Sequence, residues 1–198
     1  MTDCRDEMNS KDAKLKKPYR LNRTVVLVGM MGAGKSTIGR KLAQRLEAKF
    51  IDADTEIERA AGCTIPEIFS SLGEAGFREG ERRVICRLLD APPHILALGG
   101  GAFADPITRK KTKERASSIW IDTDLDTLFQ RVSRRTNRPM LYVSDPRAEL
   151  EKLLNARISS YSEADIVISS DDKSVDTTAS TAEAKLIEIG VVAPVEPK

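Results

Sequence analysis

The chain has 198 residues, which suits one domain with a tail. An apolar share of 40% supports a globular core, and a net charge of +2, from 32 basic and 30 acidic side chains, makes no global field that would argue for nucleic acid. Three scattered cysteines, Cys4, Cys63 and Cys86, build neither a disulfide framework nor a zinc site, and no apolar run approaches the roughly 20 residues that cross a bilayer; with no apolar signal core at the N-terminus, the cytoplasm is the expected location.

Residues 1–22 are polar, mixed in charge and without periodicity, which predicts a disordered leader. From Thr24 the pattern changes. TVVLVG (24–29) is a continuous β-branched run of the kind a fully buried strand needs. STIGRKLAQRLE (36–47) puts Ile38, Leu42 and Leu46 on one helical face. KFIDAD (49–54) reads as a second strand and TEIERAAG (55–62) as a helix ending at Gly62. Residues 64–90 predict a short helix, a glycine break and a longer helix, and HILALGGG (94–101) a strand running into three glycines. A helix over 106–115, a strand over 117–124 and a helix over 125–135 follow. Pro139 and Pro146 then break the pattern. A helix over 148–164, a strand over 165–170 and a helix over 181–190 close the chain. Strands alternating with helices imply parallel βαβ units and a sheet covered on both faces, with ligands gathered at the carboxyl ends of its strands.

The chemistry-bearing motifs fall at those ends. Gly29, Gly34, Lys35 and Ser36 complete G-x-x-x-x-G-K-[ST] between a strand and a helix. Such a loop turns its N–H groups, from Gly32, Ala33 and Gly34 through Thr37, toward nucleotide phosphates. Lys35 should neutralise the β and γ phosphates, and the Ser36 hydroxyl should ligate Mg2+. Asp52 and Asp54, two apart on an extended chain, face the same side. Asp52 is the candidate for the metal, through water, and Asp54 for an acceptor hydroxyl and its proton. The alternative is that one of them, Asp54 in particular, caps the helix at 55–62.

Gly99, Gly100 and Gly101 strip every side chain from a surface where something lies close to backbone. Arg78 and Arg157 can both reach the carboxyl end of the sheet, and two arginines converging on one spot would suit a small carboxylate, because guanidinium binds it in a bidentate fork. The arginine-dense, proline-broken QRVSRRTNRPMLY resembles a lid over a phosphoryl-transfer site, with Arg138 meeting the transferring phosphate. His94 and Trp120 read as structural, and Cys63 and Cys86 as small apolar fillers.

Taken together, GMMGAGKST, FIDADTEIE, IPEIFSSLGEAGFREGE, LALGGGAF, RPML and ARISSYSEAD stand in the order and spacing of shikimate kinases, a resemblance that covers about residues 24–170. It implies a three-layer α/β/α P-loop kinase of the nucleoside monophosphate kinase-like type, with a five-stranded parallel sheet and a mobile lid over about 132–142, in a domain spanning 23–198. It implies ATP-dependent phosphorylation of the 3-hydroxyl of shikimate, on the way to chorismate, by a monomer. Carried onto this chain, it gives shikimate hydroxyls to Asp54 and its carboxylate to Arg78, Arg157 and the Gly99–Gly101 backbone. Arg138 bridges acceptor and γ-phosphate, and Arg131 lies against adenine. Two other readings stand beside it. One is a kinase of the same fold with another acid as acceptor, such as gluconate. The other is a non-catalytic nucleotide sensor, which should have lost Lys35, Asp54 or a substrate arginine.

Overall fold

A computed structural model describes residues 19–134, 145–171 and 173–194. Five parallel strands form the central sheet: β2 (Thr24–Val28), β3 (Phe50–Asp52), β4 (Ile95–Ala97), β5 (Ala116–Asp122) and β6 (Ile166–Ser169), in the order β3-β4-β2-β5-β6. The central strand β2 is buried throughout, as its unbroken β-branched run demands.

The helices are α1 (Lys35–Arg45), α2 (Ala53–Ala61), α3 (Ile65–Leu89), α4 (Pro106–Arg115), α5 (Leu125–Ser133), α6 (Pro146–Tyr161) and α7 (Val175–Glu188), with a short 3-10 turn, η1 (Ala102–Ala104). The crossover from β2 to β3 runs one way across the sheet. Those from β3 to β4, β4 to β5 and β5 to β6 run the other way. Right-handed connections therefore put α1 on one face and α2 to α6 on the opposite face. The last helix, α7, returns to pack on α1, completing three layers.

Local signals account for most boundaries. Asp105 accepts from Thr108 N–H at 2.8 Å to cap α4, and Pro106 takes its first position. The break inside 64–90 is real: Gly73 (φ 67°, ψ −176°) leaves helical geometry and kinks α3. The closing helix begins at Val175, earlier than 181, because Ser174 accepts from Thr177 N–H at 3.1 Å.

Three expectations need correction. Residues 19–22 are not part of a structureless leader. Strand β1 (Tyr19–Leu21) pairs antiparallel with β7 (Val192–Pro194), and Leu21 and Val192 enter the core. The expected leader otherwise lies outside the described residues. The second strand stops at Asp52, so Asp54 belongs to the first turn of α2 rather than to an extended segment. Cys63 and Cys86 are partly exposed rather than buried fillers. His94 and Trp120 are buried as expected.

Candidate active site

Because all five strands run parallel, the segments that follow them emerge along one edge. They surround a cleft of about 520 Å³, within the usual range for small-ligand sites. The phosphate loop after β2 forms its floor. Gly32 and Gly34 hold left-handed φ of 86° and 90°, which lets the loop curl before α1. Lys35 is nearly buried, and its Nζ donates to the carbonyls of Gly29 and Met30 at 2.9 Å each, which anchors the ammonium beneath the loop. Gly32, Ala33, Gly34, Ser36 and Thr37 line the same cleft, as does Arg131, whose Nη2 reaches the Ser170 carbonyl at 3.4 Å.

Asp52 and Asp54 stand in different places at the end of β3, and the cap falls to the other aspartate than expected. Asp52, not Asp54, caps α2, accepting from Asp54 N–H at 3.1 Å through Oδ1. Its other oxygen accepts from Ser36 Oγ at 2.6 Å. The two candidate metal ligands thus touch each other beside the phosphate loop. A hydroxyl and a carboxylate are the hard oxygen donors that Mg2+ takes when phosphate and water complete its shell. Among the described residues no group of three or more His, Cys, Asp or Glu side chains could hold a metal, so a site made by protein alone is not built here.

The turn into α2 sends Asp54 toward the glycine triplet. A Cβ added to Gly99 would lie 2.8 Å from Asp54 Oδ1 and 3.0 Å from Glu81 Oε1. One added to Gly101 would lie 2.8 Å from both terminal nitrogens of Arg78, and one on Gly100 would lie 3.5 Å from Arg157 Nη1. Gly99 and Gly101 therefore make room for charged side chains of the site, and Gly100 for the phosphate-loop backbone at Met31 N, 3.3 Å from such a Cβ. This is the physical reason for three in a row.

Arg78 donates to Glu81 Oε2 at 2.7 Å and lies over the Phe77 ring at 5.2 Å. Burial pushes the Glu81 carboxyl above its ordinary range, with the Asp54 and Asp105 charges adding to the rise and Arg78 opposing it. Arg157 is buried at 8% exposure on α6. Asp54, Arg78, Arg157 and Gly99–Gly101 thus meet at one place, and Asp54, Gly99 and Gly100 share the cleft with Lys35. Arg138 and most of the expected lid lie outside the described residues.

Sequence reasoning assigned no role to Glu81, Met30 or Tyr161. For Glu81 the signal was its i,i+3 spacing from Arg78 on a helix. The wall formed by Ser170, Lys173, Val175 and Thr178 was also missed, although its place after the last strand could have pointed to it.

A doubly wound parallel sheet, a phosphate loop with its lysine anchored, and an acceptor pocket on the same edge define a P-loop kinase acting on a small molecule. A family model described as shikimate kinase matches residues 31–187. A shikimate kinase from Paramagnetospirillum magneticum is 52% identical over 159 residues, covering 80% of this chain and 82% of that one. The solved structure of a shikimate kinase from Acinetobacter baumannii in complex with shikimate superposes with a TM-score of 0.82 at 37% identity, over 85% of this chain and 94% of that one. The chain belongs to the shikimate kinase family. A gluconokinase from Sinorhizobium meliloti (TM-score 0.57, 16% identity, 86% of this chain and 94% of that one) shares the fold alone.

Proposed function

We propose that this enzyme transfers the γ-phosphoryl group of ATP to the 3-hydroxyl of shikimate, giving shikimate 3-phosphate and ADP. The observation that carries the reading is the convergence of Asp54, Arg78 and Arg157 on Gly99–Gly101, with Asp54, Gly99 and Gly100 lining the cleft that holds Lys35.

The phosphate-loop N–H groups and Lys35 hold the nucleotide phosphates, and Arg131 flanks the base. Ser36 and Asp52 would hold Mg2+, which would supply neutralisation of charge on the phosphates. Arg78 and Arg157 grip the acceptor carboxylate. Asp54 orients the attacking hydroxyl and receives its proton as the new O–P bond forms and the bond to ADP breaks. Catalysis then rests on positioning and charge stabilisation. The RPML motif alone assigns Arg138 to the transferring phosphate. Free Cys63 and Cys86 and a need for ATP suit the cytoplasm.

The test is ADP release with ATP, Mg2+ and either shikimate or gluconate. Turnover is expected with shikimate only. Asp54→Asn should lower kcat by about 10²–10⁴-fold, the usual worth of a positioned proton acceptor. Lys35→Met should cost about 10²-fold or more, as loss of a preorganised charge does. Turnover with gluconate alone would transfer the reading to that acid. Equal rates in wild type and both variants would leave a binding module.

A further inference from the structure

Two buried residues outside the proposed reaction meet between its two binding loops. Met30 follows Gly29 in the phosphate loop, and Tyr161 ends α6 one turn after Arg157. They are 2% and 0% exposed. The Tyr161 hydroxyl donates to the Gly100 carbonyl and stands 3.6 Å from the Met30 sulfur. Arg157 Nη1 reaches that sulfur at 3.9 Å. A phenol has one proton, and a carbonyl is a far better acceptor than a thioether, so the proton goes to Gly100. The Trp120 ring, 5.9 Å away, packs against the tyrosine ring. Burial pushes the Tyr161 hydroxyl up to about 12, with Arg157 opposing, so it stays a donor throughout the neutral range.

Gly100 is the middle of the triplet, and a Cβ there would lie 3.3 Å from Met31 N. Its peptide is therefore pressed between the phosphate loop and Arg157. Three successive glycines have no side chains with which to hold their own peptide orientation. The Gly99 and Gly101 carbonyls accept from the Ala102 and Ala104 N–H groups at 3.1 Å each, and the Gly100 carbonyl between them takes the Tyr161 hydroxyl.

We propose that Tyr161 is a positioning residue. Through its hydrogen bond to Gly100 and its contact with Met30, it registers Gly99–Gly101 and Arg157 against the phosphate loop and so sets affinity for the acceptor carboxylate. The inference rests on the acceptor reading above. Tyr161 acts through Gly100 and Arg157.

Tyr161→Phe keeps the ring and deletes only the hydroxyl. Steady-state kinetics on the full chain should show KM for shikimate raised about five- to tenfold, the worth of one buried hydrogen bond. KM for ATP and kcat should stay within about twofold, since the phosphate loop keeps its own bonds. A merely structural role would move both KM values, or kcat, together. Met30→Leu keeps the volume and removes the sulfur; it should raise KM for shikimate about two- to threefold, by more than it raises that for ATP. If Tyr161→Phe fails to fold, Met30→Leu decides alone. Wild-type KM values in the variant that folds, or parallel losses for both substrates, overturn the proposal. A wild-type chain that releases no ADP with shikimate sinks the parent reading, and this one with it.

Discussion

Gly99→Ala is the sharpest test of why the triplet exists. The added methyl would sit 2.8 Å from Asp54 Oδ1 and 3.0 Å from Glu81 Oε1, where ordinary contact begins at 3.4 Å. Gly99 is not in the left-handed region, so alanine meets no backbone strain of that kind. The cost falls on the side chains. Glu81 is 3% exposed and tied to Arg78, so it has little room to move. Asp54 lines the cleft and should yield, by about 0.6 Å, the shortfall from ordinary contact. A misplacement of about 1 Å can cost 10²-fold in rate, so a shift of about half that size should lower kcat/KM for shikimate roughly ten- to thirtyfold. KM for ATP should stay within about twofold, because the phosphate loop does not touch the new methyl. Initial rates with each substrate varied in turn, together with a thermal melt, measure this. Gly80→Ala is the control. Gly80 sits in α3, where an added Cβ meets nothing within 4 Å, and the change should stabilise the fold by about 0.5–1 kcal/mol with rates unaltered. A kcat/KM for Gly99→Ala within twofold of wild type would refute the crowding argument, as would equal losses for both substrates.

Two further outcomes follow from the same geometry. Ser36→Ala removes a hydroxyl that donates to Asp52, and the Mg2+ concentration for half-maximal turnover should rise about tenfold, the worth of one charge-linked contact; an unchanged Mg2+ titration would remove Ser36 from the metal site. Burial lowers the pKa of His94, aided by Lys49 and opposed by the bond between its Nδ1 and the Pro92 carbonyl, while Nε2 has no partner among the described residues. The unfolded chain therefore takes up a proton near pH 6.5 that the folded chain resists. The stability this provides is complete above that pH and declines as pH falls below it, by up to about 1.4 kcal/mol at pH 5.5. Urea midpoints at pH 7.5 and 5.5 read the change. Since this is the only histidine, His94→Gln should flatten the difference, and an equal difference in the variant would exclude it as the source.

What the sequence determined alone was short-range. The buried β2 run, the loop from Gly29 to Ser36, the α4 cap at Asp105 and the break at Gly73 follow from steric and hydrogen-bonding preferences that neighbours within about four residues satisfy. Residue types and spacing mark the triplet at 99–101 as a place of close approach, and only the family resemblance joined Arg78 and Arg157 to it. Only the parallel order of the strands brings Asp54, Arg78 with Glu81, and Arg157 to those three glycines, from segments up to 58 residues distant. The cap that starts α2 at Asp52 is local, an Asp54 N–H bond to its Oδ1, but the contact of its other oxygen with Ser36, 16 residues away, is tertiary. The pairing of β1 with β7 joins residues about 170 positions apart, and nothing local in Tyr19–Leu21 announces it. A three-residue stretch, Tyr-Arg-Leu, becomes a strand when a distant edge offers it hydrogen-bond partners and a place for Leu21 in the core.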